Sequence, residues 1–267
     1  MDLIQILESL SVINRDNGTK FTQTDRLDSI AWLLSNSKYQ KVNDCGLFHL
    51  YARKPVHELD QNVILVSSHV DCERSIHSCF SKVLDDVYLL GTYDNSITNA
   101  AIVSLMLSGQ LPDQILVAFT GDEEEEQTGA SDLVYFLEKN HLKVRHIFVL
   151  DVTDMGWHEN ADFTVENDFW EDDIGRTIVS VAEASGHTWQ FIPEDPDEIP
   201  DFIPSVRVIS EEAWEDESWK YDDFDLPCCS ICLPVSGEMH SDAGVLVRAQ
   251  SFSRYTEVLG TMLREIS

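Results

Sequence analysis

Positive charge is what this chain has least of: 18 lysines and arginines stand against 48 aspartates and glutamates in 267 residues, a formal charge of -30. A surface of that sign repels phosphate backbones and anionic lipid headgroups, so neither nucleic acid nor a membrane is expected as a partner. Long apolar runs are missing too. No stretch approaches the roughly 18 residues of a membrane span. The opening MDLIQILESL has neither a basic n-region nor a small-residue cleavage site, so a soluble, cytoplasmic protein is expected. Of six cysteines, Cys228, Cys229 and Cys232 fall in LPCCSICLP. A single C-x-x-C without a second is a weak zinc signal, and its alternation with Ile231 and Leu233 favours a buried strand with reduced thiols. With no internal repeat and no low-complexity linker, a single domain over 1–267 is the simplest organisation.

Hydrophobic residues make up 43% of the chain and charged ones 25%, enough to bury a full core. Strand and helix periods alternate, which predicts an α/β fold, a three-layer α/β/α sandwich around a mixed, largely parallel sheet. Ile4, Ile6, Leu7 and Leu10 suit a first helix, and Thr24 suits the cap of a second that runs through Leu27, Ile30, Ala31 and Leu34. LFHLYAR and NVILVSSH read as strands, joined as a hairpin across the Pro55–Gln61 turn. NAAIVSLMLSG is a helix stopped by Gly109, DQILVAF a strand, SDLVYFLEKN a helix and RHIFVLD a strand. IGRTIVSVAEASG, CCSICLPV and the stripe Tyr255, Val258, Leu259, Met262, Leu263, Ile266 add a helix, a strand and a final helix. Residues 154–226, acidic and aromatic, are expected to form long loops, with no second domain.

The run ILVAFTGDEEEEQTGA sets five acids, Asp122 to Glu126, at the mouth of an apparently buried strand. Like charges about 4 Å apart cost on the order of 4 kcal/mol at an effective dielectric near 20, so such a run needs either open water or a cation. Acid runs are commonly solvated faces. What changes the weighing is convergence: VILVSSHVD ends in His69 and Asp71, and HIFVLDVTD delivers Asp151. Ligands of open α/β sheets bind beyond the carboxyl ends of strands. LLGTYDNSITNAA adds Asp94 before a helix, and VSGEMHSDAG adds His240 after the last strand. Taken singly, Asp94 could be an N-cap and His240 a surface histidine. The order H-x-D, D, E-E, D, H at strand ends is hard to produce by accident.

Over about residues 62–245 this pattern resembles the co-catalytic zinc peptidases of the M28 and M42 type, in the wider clan that includes the M20 deacylases. The resemblance implies two zinc ions, with cobalt or manganese as substitutes. Asp94 would bridge them, His69 and Asp151 would complete one site, and Glu124 and His240 the other. Asp71 would orient His69, and Glu123 would be the general base. Aligning Gly129 and Ala130 with the family's G-[SA] selects Glu123 and Glu124, whereas a slide of one residue selects Glu124 and Glu125. In the first register Glu126 and Gln127 replace the family's glycine and apolar residue. Only a short segment separates the H-x-D strand from Asp94, so no inserted lid domain is expected.

The implied activity is an aminopeptidase acting on a peptide or small amide, with Glu125 or Asp122 available for the substrate's ammonium group. The alternatives are a carboxypeptidase or N-acyl amino acid deacylase on the same site, and an inactive metal-binding homologue. The resemblance leaves room for a homo-oligomer. His49 and His77 read as structural, while Trp214, Trp219, Tyr221 and Phe224 could wall a substrate pocket or cap the core.

Overall fold

The computed structural model describes residues 1–11, 23–43, 46–59, 62–73, 76–167, 169 and 172–267. Helices α1 (Leu3–Ser11) and α2 (Gln23–Leu34) lead into strands β1 (Gln40–Lys41), β2 (Phe48–Ala52), β3 (Asn62–His69), β4 (Ser81–Leu84) and β5 (Tyr88–Gly91). Then follow α3 (Ser96–Ser108), β6 (Ile115–Thr120), α4 (Thr128–Lys139), β7 (Lys143–Thr153), β8 (Phe163–Glu166), α5 (Asp172–Ser185) and β9 (Trp189–Ile192). The chain closes with α6 (Glu217–Asp222), β10 (Cys228–Pro234), β11 (Ser236–Gly237), β12 (Val245–Arg248) and α7 (Ala249–Ile266).

The main sheet has eight strands in the order β1-β2-β6-β3-β7-β10-β8-β9. Its centre, β6-β3-β7-β10, is parallel, and β2 and β8 run antiparallel on either side. Period-two alternation divides each central strand between two cores. Ile64, Val66, Phe148 and Leu150 face α1, α2, α3, α5 and α7, whereas Val63, Leu65, Ile147 and Val149 face α4 and α6. The result is the expected three-layer α/β/α sandwich. A parallel sheet buried on both faces explains why its strands read as unbroken apolar runs.

Three expectations fail. β2 and β3 do not form a hairpin, because β6 lies between them and pairs antiparallel with β2 and parallel with β3. Two apolar strands close in sequence carry no information about a third that arrives later. Residues 154–226 are not only loops: they supply β8 and β9 to the sheet edge and form α6. Those strands are four residues each, too short to stand out in an acidic sequence. Thr24 does not cap α2, which begins at Gln23.

A second, four-stranded antiparallel sheet, β11-β12-β5-β4, has no counterpart among the strands the sequence predicts. β5 and β12 meet at Gly91 and Val245. Gly244 makes the approach possible: its φ is +71°, and a side chain there would start 2.5 Å from the Gly91 carbonyl oxygen. Five cysteines are free thiols, four of them buried, and Cys45 lies outside the described residues. Among the described residues no helix is long and apolar enough to cross a membrane.

Candidate metal centre

Adjacent parallel strands β6, β3 and β7 end at one edge of the main sheet, so their terminal side chains share a cleft. β3 supplies His69 as its last residue, β7 supplies Asp151, and the turn after β6 supplies Glu123 and Glu124. The other two groups come from the small sheet. Asp94 follows β5 at the start of α3, and His240 sits between β11 and β12. Pairing β12 with β5 therefore carries His240 to Asp94 although 145 residues separate them in the sequence (240 minus 94 less one).

The two oxygens of Asp94 face different partners. Oδ1 lies 3.1 Å from His69 Nε2, and Oδ2 lies 3.4 Å from His240 Nε2. Asp151 Oδ1 is 3.4 Å from His69 Nε2, and Glu124 Oε2 is 3.4 Å from His240 Nε2. One ligand atom each from His69, Asp94 and Asp151 fall within 4.8 Å of one another, and so do atoms of Asp94, Glu124 and His240. Imidazole and carboxylate at these spacings could hold two cations that share Asp94, and the donor set suits zinc. A third trio, His69, Glu123 and Glu124, meets the same criterion.

Surrounding groups fix these side chains. Asp71 reaches two of them: its Oδ1 is 3.5 Å from His69 Nδ1, and its Oδ2 accepts the Glu124 amide at 3.1 Å. Asn99 Nδ2 donates to the His69 carbonyl at 2.8 Å, and Asn95, joined to Asp94 by a cis peptide, donates to the Leu150 carbonyl at 2.6 Å. Gln127 Nε2 donates to Glu123 Oε1 at 3.4 Å.

The turn that carries the glutamates is closed at both ends by left-handed residues, Asp122 (φ +66°) and Gln127 (φ +52°). Asp122 O accepts the Gln127 amide at 2.6 Å, and Asp122 Oδ2 accepts the Thr128 hydroxyl at 2.5 Å. Asp122 is thus committed to the turn, which corrects its reading as a group free for a substrate ammonium. Inside the turn Glu123 and Glu124 are half-buried, whereas Glu125 and Glu126 are exposed.

Gly129 seats α4 beneath this turn. A Cβ there would meet Gly121 O at 2.4 Å, Gly121 N at 2.6 Å and Leu47 O at 2.7 Å, all backbone. Gly129→Ala is therefore expected to lower stability by about 1–3 kcal/mol through overpacking. In urea unfolding the midpoint should fall with the slope unchanged; an unmoved midpoint would mean that the backbone gives way easily.

The cleft, a cavity of about 310 Å³, is lined by nine carboxylates and two imidazoles, with no lysine or arginine among the described lining residues. Burial, reinforced by Asp151, Glu124 and Asp94, pushes the Glu123 carboxyl up to about 9, against the pull of His69. Burial and Asp94 push Glu124 to about 8, and burial pushes Asp151 to about 6. For Asp94 burial acts upward, but hydrogen bonds and charge from His240 and His69 hold it below the usual range. The hydrogen bond to Asp94 raises His240 to about 9. Burial works against a charged His69, yet the carboxylates of Asp151 and Glu123 raise it well above an ordinary imidazole. Apart from these two imidazoles, the described lining residues offer the nine carboxylates no cationic partner. Glu124 Oε1 is buried with no hydrogen-bond partner, an oxygen of the kind a cation would satisfy.

Several residues were not singled out in the sequence. Glu166 and Asp216 are buried in the wall of the cleft, and Glu215 also lines it. Glu166 alternates with Phe163 and Val165 and so reads as the exposed face of a strand, yet it is buried and accepts the Thr164 hydroxyl at 2.5 Å. Glu217 is 1% exposed and accepts the Ser67 hydroxyl at 2.6 Å. The aromatic residues divide between the two readings. Trp214 lines the metal cleft and Trp219 a neighbouring cavity, whereas Tyr221 is core and Phe224 stacks edge-on against Tyr135. Cys228, Cys229 and Cys232 lie in β10 as buried free thiols.

No protein-family model matches the chain, and no curated protein matches it in sequence. Solved structures do match in fold. The TET1 peptidase of Pyrococcus horikoshii, which can assemble into a tetrahedron or a large octahedral shell, superposes with a TM-score of 0.67 at 12% identity over 98% of this chain and 99% of its own. An aminopeptidase from the archaeon Desulfurococcus kamchatkensis gives 0.67 at 12% identity over 98% and 94%. The zinc aminopeptidase of Bacillus subtilis gives 0.56 at 12% identity over 82% of this chain and 49% of its own. At such identities the likeness is one of fold.

Proposed function

We propose that the chain is a metal-dependent aminopeptidase, one catalytic unit over residues 1–267, that holds two zinc ions with Asp94 between them. His69 and Asp151 would complete one site, and Glu124 and His240 the other. The observation that carries this reading is Asp94 itself, with one oxygen 3.1 Å from His69 and the other 3.4 Å from His240. Bound there, a pair of divalent ions would lower the pKa of a shared water and polarise the scissile carbonyl.

The chain's own residues supply the rest. Glu123, beside His69 and Glu124, would take a proton from the attacking water and return it to the leaving amine. Gln127 donates to Oε1 of that carboxylate, and Asp71 accepts the Glu124 amide with one oxygen while the other lies 3.5 Å from His69 Nδ1. A wall of carboxylates without lysine or arginine suits a substrate's free ammonium end. It disfavours a terminal carboxylate, and hence a carboxypeptidase or an N-acyl amino acid deacylase. Buried free thiols suit a reducing, cytoplasmic setting. The fold shared with the self-assembling TET1 peptidase supports a homo-oligomer, readable from light scattering.

The test is metal content together with end-group release. Purified protein is expected to carry about two zinc ions per chain, by analogy with two-metal sites, and to release N-terminal residues from unblocked peptides. Chelation should abolish release, zinc should restore it, and N-acetylated peptides should be spared. Release that survives chelation, or cleavage of acetylated and free peptides alike, would overturn the reading.

A further inference from the structure

A second cavity, of about 220 Å³, adjoins the metal cleft, and Gln127 and Glu215 line both. Asn167 follows β8 in a left-handed conformation (φ +70°) and is 4% exposed. Its Nδ2 donates to Ser218 Oγ at 2.8 Å and Ser230 Oγ at 3.2 Å, which fixes the amide. Those two bonds leave Oδ1 buried with no partner, and Trp219 Nε1 in the same cavity is also buried and without one. A buried acceptor that its own fold leaves unsatisfied is unusual and costs free energy unless a ligand completes it. Around it stand the exposed carboxylates Glu215 and Asp222, while Lys220 is drawn 3.9 Å from Asp223.

We propose that this cavity is a subsite for a guanidinium side chain, so that the substrates carry arginine at one of the two residues flanking the cleaved bond. The assignment rests on the peptidase reading above for its biological use, though not for the binding itself. A planar guanidinium has donors enough to reach Asn167 Oδ1 and the rim carboxylates together. The Trp219 indole N–H then meets a main-chain carbonyl of the same ligand. Gln127 and Glu215, which line both cavities, would mark the path of the substrate from the cleft to this subsite.

Argininamide, citrullinamide and leucinamide bound to the zinc-loaded full chain, followed by calorimetry, test this. Citrulline keeps the shape of arginine and loses its charge. Argininamide is expected to bind about tenfold more tightly than either, the factor of a charge-assisted hydrogen bond. In the double variant Glu215→Gln, Asp222→Asn that ratio should fall below about threefold, and Trp219→Phe should weaken argininamide several-fold. Both rim residues are exposed, so the double variant is expected to fold. In parallel, peptides with arginine, leucine or glutamate at each of the first two positions should show arginine preferred in kcat/KM at one of them. Equal binding of argininamide and citrullinamide, or a ratio indifferent to the double variant, overturns the assignment. If argininamide keeps its preference while no peptide is cleaved, the cavity assignment stands and the peptidase reading falls.

Discussion

Glu123→Gln is expected to keep its metal and lose turnover by about 10²–10⁴-fold, the usual contribution of a positioned general base. The substitution preserves shape and removes only the capacity to accept a proton. Glu123 lies in the same cluster as His69 and Glu124, and its Oε1 accepts from Gln127 Nε2. Glu124→Gln should behave differently: Glu124 Oε2 faces His240 at 3.4 Å, so the expected loss is of metal first and of activity as a consequence. Glu126→Gln, exposed and outside the cleft, should change kcat/KM by less than about twofold, within the range of a surface substitution. Metal content and turnover measured on all three decide the register of the acid run. Full activity in Glu123→Gln would shift the base to another carboxylate.

Zinc is expected to raise the melting temperature more at pH 8 than at pH 6, and by on the order of 10 °C when free zinc is about a thousandfold above its dissociation constant. The sign follows from the pKa directions. Glu123, Glu124 and Asp151 are raised to about 9, 8 and 6, so without metal the folded chain binds protons there that the unfolded chain has released. That contribution to stability is complete below the unfolded carboxylate range and is lost as pH rises through those values. His240 and His69, also raised, lose their contribution over the alkaline part of the same climb. Asp94 runs the other way, its contribution present at neutral pH and lost only in strong acid. Cations replace the protons, and their affinity grows as the ligands deprotonate. Thermal unfolding with zinc and with chelator at both pH values measures the difference, and Asp94→Asn should abolish it. An equal zinc increment at both pH values would mean that the ions bind elsewhere, on the acidic surface.

The sequence alone determined which chemistry is on offer and on which kind of scaffold. The apolar runs of β3, β6 and β7 are legible because a parallel sheet buried on both faces leaves no polar face to break the pattern. The side chains at their ends stand out because acids and histidine are costly beside a core unless something compensates them. His69, Asp71, Glu123, Glu124 and Asp151 could be picked out this way, and Asp94 and His240 only as members of an order. What the sequence could not decide was adjacency. β6 enters between β2 and β3, and the short strands β4, β5, β11 and β12 build the sheet that brings His240 to Asp94. Such pairings join residues far apart in the chain, and strands of two to four residues carry too few side chains to announce a period. Burial of Glu166, Asp216 and Glu217 was equally beyond the sequence, because an acid on a strand or helix looks solvent-facing until a neighbouring element covers it. Tertiary structure alone turned a list of polar residues into a cleft whose charge calls for cations.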